Sequence, residues 1–104
     1  MTDFNYDSAT DILTVDREGR SPEDYDRSRP IGEYVIDLNS KDGVIGLEVL
    51  NASQNLPFTK SELENIEDVS LDSMERGEAT TISVNVTYSG NKGKFSLGYG
   101  TAEA

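Results

Sequence analysis

Gly43-Val44-Ile45-Gly46-Leu47-Glu48-Val49-Leu50-Asn51-Ala52-Ser53 decides how this chain is read. Val44 to Leu50 is a short, largely apolar run, which predicts a central strand covered on both faces. Ile45, Leu47 and Val49 point one way, and Val44, Gly46, Glu48 and Leu50 the other. Gly46 is the odd member, because glycine weakens a strand unless the strand bulges or another group approaches closely. A bulge, or a ring such as that of Tyr34 lying over it, accounts for its presence. Upstream, Ser40-Lys41-Asp42-Gly43 reads as a tight hairpin turn. It joins the run to a strand over Gly32–Asn39, with Tyr34, Ile36 and Leu38 on one face. Asp3–Tyr6 and Asp11–Arg17 read as two more strands around a turn, with Leu13 and Val15 sharing a face. The stretch Glu18–Pro30 is polar, holds Gly19, Pro22 and Pro30, and reads as an exposed loop.

Downstream, residues 51–56 predict a short helical turn ending before Pro57, with Asn51 as its cap. Thr59-Lys60-Ser61-Glu62 has the spacing of a capping box and starts a helix. Leu63, Ile66 and Val69 form that helix's narrow apolar stripe. Ser70–Glu78 reads as a polar connector. Ile82, Val84, Val86 and Tyr88 then alternate with polar residues, and so do Phe95, Leu97 and Tyr99 after Gly90-Asn91-Lys92-Gly93. This is a hairpin with one apolar face. The expectation is one α+β domain over 1–104, an antiparallel sheet of about six short strands with one short helix. A β meander fills 4–56, and a helix plus C-terminal hairpin fill 57–104.

Tyr6, Asp7, Asp11, Leu13, Val15, Gly43, Gly46, Leu47, Glu48, Val49, Leu50, Asn51, Ala52 and Ser53 occur in an order that resembles a family of small proteins, domain of unknown function family 2283. The resemblance covers residues 4–56. It implies the strand arrangement of that half and no activity, because the family has no established function. The highly charged Arg17–Arg29 insertion departs from the family pattern, and the chain after Pro57 carries no part of it.

Composition bounds the setting. Apolar residues make up 35% of the chain, so the core must be small. Twenty acidic residues against nine basic ones give a formal net charge of −11. Such charge repels itself unless salt screens it. At molar salt the Debye length falls to about 3 Å. Acid spread along the chain, with lysine only at Lys41, Lys60, Lys92 and Lys94, fits a halophilic, acidic cytoplasmic protein of haloarchaeal type. The charge opposes nucleic-acid binding, which needs a basic patch. Arg17, Arg20, Arg27 and Arg29 are interleaved with Glu18, Glu23, Asp24 and Asp26, as in a solvated loop. The chain has no cysteine or histidine, which removes thiolate, imidazole and disulfide chemistry. Met1–Asp7 lacks the basic and apolar regions of a signal peptide. No apolar run approaches the roughly 18 residues of a membrane span.

Three constellations invite a chemical reading, and each has a plainer one. Asp37 to Gly43 with Glu48 resembles a calcium loop. Lys41 stands where an oxygen ligand is needed, however, and the glycine falls one place late. Asp7, Asp11 and Glu48 could be paired carboxylates, but turn formation by the aspartates and a sheet-face position for Glu48 explain them. Ser53 has no candidate base to activate it. Asn51-Ala52-Ser53 and Asn85-Val86-Thr87 match the glycosylation sequon incidentally. The reading therefore names no catalytic residue, no metal ligand and no cofactor. It expects a small, acidic, salt-adapted, non-enzymatic binding or assembly protein without membrane or nucleic-acid partners. An antitoxin-like partner of a small basic toxin or nuclease is one alternative, and a carboxylate-based enzyme is the other. Because one short helix cannot cover the apolar hairpin face, that face either closes a barrel or packs against a twin, and the expectation is a homodimer.

Overall fold

The computed structural model describes residues 3–100; the two residues before and the four after, which the sequence reading included in the domain, lie outside the described residues. Strands β1 (Asp3–Asp7), β2 (Ile12–Asp16), β3 (Arg27–Ile31), β4 (Tyr34–Leu38) and β5 (Val44–Val49) form one antiparallel sheet in the order β1-β2-β5-β4-β3. A 3-10 turn over Pro22–Asp24 precedes β3, and helices α1 (Ala52–Asn55) and α2 (Lys60–Glu64) follow β5. Strands β6 (Ile66–Arg76), β7 (Ala79–Tyr88) and β8 (Asn91–Gly100) make a second antiparallel sheet in chain order.

The run from Val44 lies between β2 and β4 as the central strand, and most of it is buried. Its register carries a bulge. Asp37 pairs with Gly46 but Leu38 pairs with Val44, which leaves Ile45 as the extra residue. The bulge reverses the alternation. Val44 joins Leu47 and Val49 in the core, while Ile45 is buried apart from it. The expected row of Ile45, Leu47 and Val49 is thus corrected at its first member.

The two sheets share one apolar core. Leu13, Val15, Ile36, Leu47 and Val49 from the first meet Val69, Leu71, Ile82, Val84 and Val86 from the second. Leu56, Phe58 and Leu63 fill the end between them. Phe58 meets the Tyr88 and Phe95 rings edge-on at 5.4 and 6.4 Å. Gly93 is required there, because a Cβ on it would stand 2.6 Å from Phe58.

Several expectations need correction. Among the described residues there are eight strands rather than about six, and the expected helical turn at 51–56 is a short helix, α1, beside α2. Residues 4–56 are not a simple meander, since β5 inserts beside β2. The loop Glu18–Pro30 ends in an edge strand, β3, whose Pro30 is allowed because an edge needs no donor on its open side. The connector Ser70–Glu78 is mostly the long strand β6, and helix α2 stops at Glu64. Ile66 and Val69 therefore belong to a strand and not to a helical stripe. Polar residues hid β6 because only its inward positions, Val69 and Leu71, needed to be apolar. The last hairpin turns on Ser89 and Gly90, both at positive φ, so β8 begins at Asn91, within the expected turn. The β7 part of that hairpin's apolar face is covered within one chain, while Tyr88, Phe95, Leu97 and Tyr99 are half-buried. Ile82 and Val84 are fully buried, and Val86 is 2% exposed.

Candidate functional site

Two polar clusters concentrate the chemistry-bearing residues of the first sheet. The first forms where β1, β2 and α1 meet. Asp7 accepts from the Ala9 backbone N–H at 2.9 Å and opens the turn after β1. Asp11 closes that turn at φ 58, a left-handed conformation aspartate tolerates. From there its carboxylate gathers three donors. The Tyr6 hydroxyl donates at 2.6 Å, the Ser53 hydroxyl at 2.7 Å and the Ser53 backbone N–H at 3.1 Å. The Asp11 carbonyl also accepts from Ala52 N–H at 2.8 Å. Asp11, not Asn51, therefore caps α1 from the distant β1–β2 turn. Asn51 occupies the cap position at φ 49 without capping and instead donates its side-chain amide to Glu33.

The electrostatics lock this cluster. Burial alone would raise the Asp11 carboxyl, but hydrogen bonds from Tyr6 and Ser53 outweigh it and hold the group below the usual carboxylate range. Burial and the neighbouring Asp11 push the Tyr6 hydroxyl up to about 12. Tyr6 is thus a standing donor and Asp11 a weak base already occupied by its donors. Ser53 gains a carboxylate neighbour that the sequence reading had not found. That neighbour accepts the Ser53 proton in a hydrogen bond but binds protons too weakly to take it away.

The second cluster lies on the outer face of the same sheet. Arg20 reaches back over the glycine in β5, donating to Asp16 at 2.5 Å and Asp37 at 3.0 Å. A Cβ on Gly46 would stand 2.6 Å from the Arg20 Nη1 and 2.9 Å from the Asp16 Oδ1. The glycine thus makes room for a guanidinium, next to the bulge. Tyr34 sits opposite Val49, at the other end of the strand, so its ring is not the reason. Ser28 donates to the other Asp37 oxygen at 2.8 Å, and Tyr25 shares a hydrogen bond with Ser28 at 2.8 Å. The Tyr25 ring lies 5.9 Å from the Arg20 guanidinium. Burial would lower the Arg20 pKa, but the Asp37 and Asp16 carboxylates overcome it and raise it.

The structure separates the carboxylates once considered together. Asp7 and Asp11 stand at the β1–β2 turn, while Glu48 lies on the outer sheet face opposite Thr14 and Val35. Asp37 bonds to Arg20 and Ser28, and Asn39 organises the next turn by accepting from the Lys41 and Gly43 N–H groups. The four arginines of the charged insertion each make bonds within the chain, although residues 22–28 are exposed. Arg20 holds two aspartates, Arg27 pairs with Asp26 and Asp42, and Arg29 donates to the Gly100 carbonyl at 2.7 Å. Arg17 reaches Ser73 at 3.5 Å. Sequence reasoning missed the Arg20 cluster, although the i,i+4 spacing of Asp16 and Arg20 and a glycine in an apolar strand were both visible.

Of the residues in these clusters, Tyr6, Asp7, Asp11, Gly46 and Ser53 belong to the family pattern, whereas Asp16, Arg20, Tyr25, Ser28 and Asp37 do not. Residues 3–53 match the model of a family described as protein of unknown function (DUF2283). No curated protein and no solved structure matches the chain. Among the described residues no helix is long and apolar enough to cross a membrane.

Proposed function

We propose that this protein is a non-enzymatic binding or assembly module, adapted to high salt, whose acidic surface captures a basic protein partner. The carrying observation is where carboxylates are tied and where they are free. Asp11, Asp16 and Asp37 are committed to internal bonds. The ridge along α2 and β6 is different. Glu64, Glu67, Asp68, Asp72, Glu75 and Glu78 are all exposed there. Among the described residues, Glu64, Asp68, Asp72 and Glu75 enter no side-chain hydrogen bond or ion pair. Unpaired like charges, with Asp68 and Asp72 together on the outer face of β6 and Glu75 on its other face, cost stability at low salt and serve to attract a positive surface. A small basic toxin or nuclease is the antitoxin-like form of this reading.

Two measurements test it. Thermal unfolding in molar KCl should have a clearly higher midpoint than in about 0.1 M salt, as screening removes carboxylate repulsion. An unchanged or lower midpoint contradicts salt adaptation. The tagged protein, recovered from its own cells, should retain a basic protein that the variant Asp68→Asn/Asp72→Asn/Glu75→Gln loses. Retention of the same partner by both contradicts the acidic ridge as its site.

A further inference from the structure

We propose that β8 is a self-association edge: two copies join antiparallel through Asn91–Gly100 about a twofold axis at Ser96, making one continuous six-stranded sheet. The argument begins with charge. The run Ala79–Gly100 carries no aspartate or glutamate, in a chain that has 20 acidic residues. Its only charged residues are Lys92 and Lys94. Two copies of a molecule at −11 repel one another over most approaches, and the β7–β8 hairpin is where carboxylates do not meet.

The edges differ in the same sense. β1 and β3 are five residues long, the first with Asp3 and Asp7 at its ends and the second with Pro30. β6 is long but bulged near Ile66 and carries Glu67, Asp68, Asp72 and Glu75. Short length, proline, bulges and inserted charge are the devices that keep an edge from pairing. β8 has ten residues, an unbroken register with β7, no proline and no acid. Lysines also blunt edges, so their placement matters.

The register follows from the turn. A two-residue turn with Ser89 and Gly90 at positive φ closes on a hydrogen-bonded Tyr88–Asn91 pair. Alternation then makes the odd-numbered residues of β8 bond to β7 and turns the backbone groups of Lys92, Lys94, Ser96, Gly98 and Gly100 outward. The Gly100 carbonyl also points away from β7 but already accepts from Arg29 of the same chain, so the ladder between copies rests on the outward groups of Lys94, Ser96 and Gly98. A twofold axis at Ser96 sets Lys94 against Gly98 and Lys92 against Gly100, so no lysine faces another. On the core side it sets Phe95 against Leu97 of the second copy. Phe95, Leu97 and Tyr99 are only half-buried in one chain, whereas Ile82 and Val84 beside them are fully buried. The second copy completes that row.

Light scattering on the full chain at about 50 µM should give twice the 11.4 kDa of one chain in molar KCl, with dissociation favoured as salt falls. Ser96→Pro removes an outward N–H and no bond to β7, so it should yield single chains with a nearly unchanged melting midpoint. If proline unfolds the chain, Ser96→Lys serves instead, placing lysine against lysine on the axis. The chain has no cysteine, so register is directly readable. Ser96→Cys should cross-link with a short bis-maleimide, while Asn91→Cys, about 33 Å from its counterpart, should not. A native chain that stays at 11.4 kDa in molar salt overturns the proposal, even if it binds a foreign strand. So does a dimer that survives both Ser96 variants or cross-links equally at Asn91.

Discussion

The two sheets use their polar residues in opposite ways. In the first, tyrosine, serine, aspartate and arginine side chains bond to one another across strands, as in the Tyr6–Asp11–Ser53 and Arg20–Asp16–Asp37 clusters. In the second, polar residues such as Thr81, Ser83, Asn85 and Ser96 face outward while valine, isoleucine and leucine face in. A sheet of short, irregular strands needs fixed tie points to hold its register. A sheet of ten-residue strands is held by its ladder and by alternation alone. The polar clusters of the first sheet are therefore committed to the fold, and the outward polar residues of β7 and β8 are free for contact.

The comparison breaks first if the sheets do not share a core. Leu47→Ala in the first sheet and Ile82→Ala in the second should each cost about 2–5 kcal/mol, and each variant should melt in one transition by both circular dichroism and tyrosine fluorescence. Two separate transitions in either variant would mean two independent units.

A smaller effect sharpens the role of the tie points. Gly46→Ala puts a methyl group where the Arg20 guanidinium lies, and should cost about 1–2 kcal/mol. In an Arg20→Met background the same change should cost little or nothing, because the obstructing group has gone. Additive costs in denaturant titration would show that Gly46 serves something other than Arg20. The smallest effect belongs to the second sheet. Ser83→Ala, on its outer face, should move stability by no more than about 0.5 kcal/mol, and a larger loss would mean that this face is also tied.

Legibility in the sequence followed the same division. The β7–β8 alternation, the Thr59–Glu62 capping box and the central position of the Val44 run were readable because each is a local pattern with a local cause. The capping box is closed in both directions, at 3.1 and 2.8 Å. β3 and β6 were not readable, since an edge strand and a strand with one wet face need few apolar residues. Ile45 was misplaced because a bulge is set by the partner strand and not by the run itself. The two polar clusters depend on contacts between residues as far apart as Asp11 and Ser53, and nothing at either position announces the other. Tyr6, Asp11 and Ser53 were visible as a pattern, but their meeting was not.

The central claim is that these pattern residues hold the fold, and Asp11 tests it most directly. Asparagine also tolerates the left-handed backbone of that position, so Asp11→Asn removes the charge and leaves the turn. The folded carboxyl is held low. Its contribution is therefore complete above the ordinary carboxylate pKa of about 4 and is lost as pH falls further toward its folded value. Melting midpoints of the native chain and Asp11→Asn, measured from pH 7 to pH 2, should differ by about 1–3 kcal/mol in stability at neutral pH, and the gap should close in acid. Equal stability at neutral pH, or a gap that does not change with pH, would contradict the account and release Asp11 for another role.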